Sequence, residues 1–148
     1  MPSNIYLIAI GGSVMHNMAL ALVRQGHHVT GSDDQIFEPA KSRLARVGIL
    51  PDKEGWDAGK INSDLDVVIL GMHAKIDNPE ILRALELEIP VYSFPAYVSE
   101  MFHGKLKVVV AGSHGKTTTT SMIMHVLKSL NLSFDFLVGA QLEGFDEM

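Results

Sequence analysis

An α/β fold built on a doubly wound parallel sheet is predicted by three observations. Four short apolar runs, at 5–10, 27–30, 66–70 and 90–93, alternate with segments whose apolar residues recur at helical spacing. Glycines follow the first run at once, at Gly11 and Gly12, where a strand would turn into a helix. A second glycine-bearing strand-to-helix turn spans residues 112–119, after a β-branched run at 107–111.

The elements follow in order. Residues 5–10 are almost wholly apolar, as expected of a central parallel strand covered on both faces. Met15, Met18, Ala19, Leu22 and Val23 then share one helical face, and Gly26 closes that helix. The run at 27–30 leads to Gly31, Ser32, Asp33 and Asp34. The result is a Rossmann-like βαβ unit with glycines at its first turn and an acid roughly 20 residues on, the spacing that puts a pyrophosphate at a helix start and a carboxylate near a ribose. A glycine pair at a strand end also serves as a plain turn, since Gly11-Gly12 is not the full three-glycine fingerprint.

Ala40, Leu44 and Val47 form the buried stripe of a covering helix ended by Gly48, with Lys41, Arg43 and Arg46 on other faces. Residues 51–63 read as a polar connector anchored by Trp56. The strand at 66–70 ends at Gly71, Met72 and His73, on the sheet edge where ligands of open α/β sheets gather. Asn78, Pro79 and Glu80 carry the chemistry of a helix start: an amide that can cap, a proline suited to the first turn, and an acid at the positive helix end. Ile81, Leu82 and Leu85 are expected on the buried face of this helix, and Tyr97, Val98, Met101 and Phe102 on that of the next.

Polarity rises at His103, Gly104 and Lys105, which places a domain junction there and divides the chain into 1–105 and 106–148. In the second part, residues 107–111 predict a buried strand, 117–130 a helix with Met122, Ile123, Val126, Leu127 and Leu130 as its apolar stripe, and 134–138 a further strand. Gly112 and Gly115 would let the loop between them curl its N–H groups around an anion. Lys116 would bring a positive charge to the outer phosphates of a nucleoside triphosphate, which makes it the candidate catalytic residue, and the Thr117 hydroxyl could join the shell of a Mg²⁺ ion. The common loop pattern asks for another glycine where Val110 stands, so this is a shortened variant.

Composition narrows the function classes. With 148 residues, 47% hydrophobic and 20% charged, the chain has the make-up of a folded α/β domain with room for the start of another. A net charge of -5 offers no broad basic footprint for nucleic acid. The absence of cysteine excludes disulfides, thiolate metal sites and a cysteine nucleophile. The seven histidines show no metal-ligand spacing. No signal peptide and no apolar run of roughly 20 residues are evident, so a cytoplasmic protein without a membrane span is expected.

Taken together, both turns resemble the Mur ligases, the ATP-dependent ligases of bacterial peptidoglycan synthesis. Residues 112–119 are similar to the family's ATP loop, including its missing first glycine, and His114 is similar to the MurC/Mpl branch. Ile10 to Ser13 with Met15, then Gly31 to Asp33, and Asp77 to Glu80 resemble further motifs of that branch, while Val14 and residues 139–146 look more like its Mpl side. Ala9 and Asn17 depart from glycines common on the MurC side. The resemblance implies an amino-terminal UDP-sugar-binding domain followed by the opening βαβ of a P-loop ATPase domain. The implied reaction uses ATP to convert the carboxylate of UDP-N-acetylmuramate into an acyl phosphate, which an amine attacks. That amine is the α-amino group of L-alanine on the MurC side and of a tripeptide on the Mpl side. By position, Gly112, Ser113, His114, Gly115, Lys116, Thr117 and Thr118 would bind ATP, with Thr117 on Mg²⁺. Gly11, Gly12 and Ser13 would meet the UDP pyrophosphate, Asp33 the uridine, and His73 and Asn78 the remainder of the sugar nucleotide. Residues that recognise the amine and the other metal ligands are expected beyond Met148, so residues 1–148 alone should bind nucleotide without turnover. A nicotinamide-binding oxidoreductase domain is the competing reading of Gly11-Gly12 and Asp33, and Lys116-Thr117 argues against it.

Overall fold

The structure is a computed structural model in which residues 2–140, 142, 144 and 145 are described. Four parallel strands, β1 (Asn4–Ile8), β2 (His28–Ser32), β3 (Val67–Leu70) and β4 (Val91–Ser93), lie in the order β2-β1-β3-β4. Helices α1 (Ser13–Arg24), α2 (Ala40–Arg46), α3 (Pro79–Glu86) and α4 (Phe94–Met101) alternate with them, and α5 (Lys116–Ser129) follows. The alternation predicted from the sequence is therefore the one observed, and β1 sits in the centre, pairing Ile5 with Val29 on one side and with Val67 on the other.

Because successive side chains of a strand point to opposite faces, a central strand must be apolar throughout. Ile5 and Leu7 join Met15, Met18, Leu22, Leu44 and Ile69 on one face, where Phe94, Tyr97, Val98 and Met101 of α4 also pack. Tyr6 and Ile8 join Val68, Ile61, Ile81 and Ala84 on the other, against Trp56. Trp56 thus anchors the connector, which also contains a short 3-10 helix, Ala58–Lys60.

Several sequence expectations are corrected. Residues 107–111 and 134–138 form no strand among the described residues, and Val108 and Val109 are 70% and 84% exposed. A strand is defined by its ladder, and neither segment lies in register with a partner. Helix α5 forms, but it buries Met124 rather than the expected stripe, leaving Met122, Val126 and Leu130 exposed. On α3 the face turned inward carries Glu80, Ile81 and Ala84, while Leu82 and Leu85 are 49% and 58% exposed. The reason is Glu80, whose carboxyl group is drawn into the interior and rotates the helix about its axis. Val47 likewise falls just past the end of α2 and is exposed. Gln141, Glu143 and Asp146 of the Mpl-like segment lie outside the described residues.

Glu80 is wholly buried yet fully partnered. Its Oε1 accepts from the Tyr6 hydroxyl at 3.0 Å and from the Asp57 N–H at 2.9 Å, and its Oε2 accepts from the Ser32 hydroxyl. Asn78 caps the same helix, its Oδ1 accepting from the Glu80 N–H at 2.8 Å. One side chain thereby joins β1, the end of β2, the connector and α3. Burial, then the neighbouring carboxyl group of Glu80, raises the Tyr6 phenol above its ordinary value, so Tyr6 remains a donor.

Candidate functional site

At the carboxyl ends of β1 and β2 the chain builds a compact turn. Ala9 takes a left-handed φ of 65°, and the Gly12 N–H reaches back to its carbonyl at 3.3 Å. The Gly11 N–H donates to Asp33 Oδ2 at 2.7 Å. A Cβ on Gly11 would lie 2.9 Å from that oxygen and 3.2 Å from Ile36, so this residue is glycine because the carboxylate closes over it. Gly11→Ala is expected to displace Asp33, and, if the turn holds a uridine nucleotide as the family resemblance implies, to weaken that binding by about tenfold, read by calorimetry, since a misplaced charged acceptor loses about 1.5 kcal/mol or more.

Gly12 is the N-cap of α1, no side chain caps that helix, and no acid lies in its first turn. The first-turn N–H groups and the positive helix end are thus left facing a cleft of about 270 Å³ lined by Gly11, Ser13, His16, Asn17, Phe37, Pro39, Arg43 and Gly139, among others. Of the sequence-predicted sugar-nucleotide residues, Gly11, Gly12, Ser13 and Asp33 come together here. His73 is exposed on the turn after β3, and Asn78 is buried with its carbonyl oxygen committed to capping α3. A larger groove of about 470 Å³ runs past the amino ends of the strands, on the other side from these turns.

Asp33 is 6% exposed. Desolvation pushes its carboxyl up to about 6, reinforced by Asp34 and opposed by the N–H groups of Gly11 and Asp34. Its folded-state value is raised, so its contribution to stability is present below the ordinary carboxylate range and is lost as pH rises through about 6. Binding of a nucleoside at Asp33, which the family resemblance implies, would run the other way, because ribose hydroxyls are best accepted by the ionised form. Affinity for a uridine nucleotide held there would then fall roughly tenfold per unit below that value, and Asp33→Asn would flatten the profile, as titrations between pH 5 and pH 7.5 would show.

The sequence missed His16, Asn17 and Arg43. His16 is 4% exposed, its Nδ1 lies 2.8 Å from the Gly12 carbonyl, and its Nε2 lies 2.9 Å from Arg43 Nη1. A guanidinium can only donate, so Nε2 accepts and Nδ1 carries the proton given to Gly12. Burial and the Arg43 charge keep the imidazole below its usual value, against the raising effect of the Gly12 carbonyl, and therefore neutral. Arg43 Nη1 also donates to Asn17 Oδ1 at 2.5 Å. The available signal was spacing: His16 stands four residues after the cap, one turn above it.

The second candidate site is the loop before α5. Gly115 is the N-cap, at a left-handed φ of 76° that a side chain would strain. Lys116 opens the helix and folds back, donating to the carbonyls of Gly112 at 2.6 Å and Ser113 at 3.1 Å. Gly112, Ser113, His114, Thr117 and Thr118 are all exposed around it, and the first turn carries no acid. An ammonium resting on loop carbonyls, beside uncapped helix N–H groups, fits a polyphosphate, and Thr117 offers the oxygen that Mg²⁺ prefers. Among the described residues no cluster of three or more His, Asp or Glu could hold a metal alone, and no helix is long and apolar enough to cross a membrane.

A parallel sheet with one glycine turn at its carboxyl edge and a lysine-bearing glycine loop beyond it defines an α/β protein of the open-sheet class. The family described as "Mur ligase family, catalytic domain" matches residues 4–105, and the chain belongs to this family. It is 37% identical over 139 residues to the UDP-N-acetylmuramate–L-alanine ligase of Streptomyces griseus, a match covering 94% of this chain and 29% of that protein. The corresponding ligase of Persephonella marina is 37% identical over 145 residues, covering 96% and 30%. Among solved structures, the UDP-N-acetylmuramate:L-alanyl-γ-D-glutamyl-meso-diaminopimelate ligase of Neisseria meningitides superposes with a TM-score of 0.87 at 34% identity, covering 99% of this chain and 46% of that one. MurC of Thermotoga maritima superposes with a TM-score of 0.82 at 31% identity, covering 98% and 34%. The chain thus spans about 30% of the curated relatives it matches.

Proposed function

We propose that the chain is part of an ATP-dependent, ADP-forming ligase that joins a peptide to UDP-N-acetylmuramate, and that its own share of the work is to hold the two nucleotides. The observation that carries this reading is the pairing of an uncapped glycine turn, closed by Asp33, with a separate loop whose Lys116 covers its own carbonyls. Gly12, Ser13 and the start of α1 would take the pyrophosphate, Asp33 the ribose, and Phe37, 70% exposed beside the cleft, would offer a face to the uracil. Gly112 to Thr118 would take the phosphates of ATP. A carboxylate accepts an amine only after one oxygen becomes a leaving group, and Mg²⁺ at Thr117 would supply charge neutralisation for that phosphoryl transfer.

The peptide-adding reading is supported by the likeness to the Neisseria ligase, and addition of L-alanine, the MurC reaction, is supported by the names of the curated relatives. A dinucleotide oxidoreductase gains nothing from Lys116. Titration of the chain with UDP-N-acetylmuramate, and separately with NAD, tests the assignment: heat and thermal stabilisation with the sugar nucleotide alone are expected, and binding of NAD alone would overturn it. Given ATP, Mg²⁺, UDP-N-acetylmuramate and either amine, residues 1–148 are expected to release no amide product, as mass spectrometry of the mixture would show.

A further inference from the structure

Arg43 is a cation with an unusual setting. It projects from α2 into the cleft beside the glycine turn, and no salt bridge to it occurs among the described residues. Burial, then the like charges of Arg24 and Arg46, lower the proton affinity of its guanidinium. Glu38 borders the same cleft, but its carboxylate is turned to the Ser42 hydroxyl at 2.7 Å and the Ser42 N–H at 3.2 Å. Among the described residues only Nη1 is engaged, by His16 Nε2 and Asn17 Oδ1, which leaves the other donors of the planar fork.

The same contacts fix the turn. The Gly12 carbonyl receives both the His16 N–H at 3.0 Å and His16 Nδ1 at 2.8 Å. In a trans peptide the C=O and the following N–H point in opposite directions. Anchoring the Gly12 carbonyl along the helix therefore aims the Ser13 N–H away from it, toward the cleft that Ser13 lines. A charged fork and an oriented amide thus line one space, and among the described residues the lining carboxylate, that of Glu38, is hydrogen-bonded to Ser42.

We infer that Arg43, aligned by His16 and Asn17, is an anion-binding residue of the cleft and contacts the pyrophosphate of the nucleoside diphosphate sugar while holding the glycine turn in its binding form. This inference rests on the sugar-nucleotide reading of the cleft. It differs from a purely structural role in one respect: Arg43 should matter to a ligand in proportion to the phosphate that ligand carries.

The test compares UDP with uridine, followed by NMR titration of the chain and of Arg43→Met and Arg43→Lys. Loss of a charge-assisted hydrogen bond corresponds to roughly tenfold to hundredfold in affinity. UDP binding should weaken by that factor in Arg43→Met and be partly restored in Arg43→Lys, while uridine binding stays within about twofold. Equal UDP affinity in all three proteins would overturn the inference and leave the sugar-nucleotide reading standing. A parallel loss of UDP and uridine would reduce Arg43 to a structural role and also overturn it. Failure of the unaltered chain to bind UDP would remove both. If Arg43→Met does not fold, Arg43→Gln, which keeps a donor to His16, carries the same comparison.

Discussion

Replacing Lys116 by alanine is expected to weaken Mg-ATP binding by at least about a hundredfold, and to lower ADP formation by the ligase of which we propose this chain is part by about a thousandfold. The side chain has no structural duty that would mask the effect. It is exposed, and its contacts are with carbonyls of its own loop, at 2.6 and 3.1 Å. An arriving polyphosphate would exchange those neutral acceptors for charged ones, adding a direct attraction between the ammonium and the phosphate oxygens. Without the ammonium, the helix end and loop N–H groups remain, which still attract an anion but cannot follow charge as it builds on the transferred phosphoryl group. Folding should be unaffected. Unchanged ATP affinity in Lys116→Ala would remove the phosphate loop from the account.

Glu80→Ala is the largest expected effect on stability, about 4 kcal/mol by chemical denaturation. The substitution deletes a buried carboxyl group and strands the Tyr6 hydroxyl, the Ser32 hydroxyl and the Asp57 N–H, each of which would cost about 1 to 3 kcal/mol if left unpaired, with relaxation recovering part. Glu80→Gln should lose less, because the amide keeps one acceptor for this trio. The consequence reaches the site as well, since Ser32 immediately precedes Asp33 and its carbonyl accepts the Ile10 N–H at 3.0 Å. A loss under 1 kcal/mol for Glu80→Ala would mean that the four elements are held by apolar packing alone.

The sheet was legible because its signals are local and redundant. Residues 5–10 are apolar on both faces, and only a central strand needs that; Gly26 and Gly48 end helices whose apolar spacing had already marked them. The turn at Gly11 and its distant Asp33 were also found, because a βαβ unit fixes that spacing. What escaped was whatever depended on rotation or on a partner. Glu80 reads as a first-turn acid suited to the positive helix end until the Tyr6 and Ser32 hydroxyls are seen beneath it, and the face it shares with Ile81 and Ala84 leaves Leu82 and Leu85 outward. Arg43 reads as one charge among Lys41 and Arg46 until His16, 27 positions away, is seen to meet it. The β-branched run at 107–111 has the composition of a strand, but composition cannot supply a ladder.

One chain would carry two separate nucleotide sites, as proposed above. Amide chemical shifts of the isotope-labelled chain measure it directly, with UDP-N-acetylmuramate and Mg-ATP added in turn. The sugar nucleotide should move Gly12, Ser13 and Asp33 while leaving Gly115 to Thr118 in place, and Mg-ATP should do the reverse. A single set of amides responding to both ligands, or no response at the glycine turn, would contradict it.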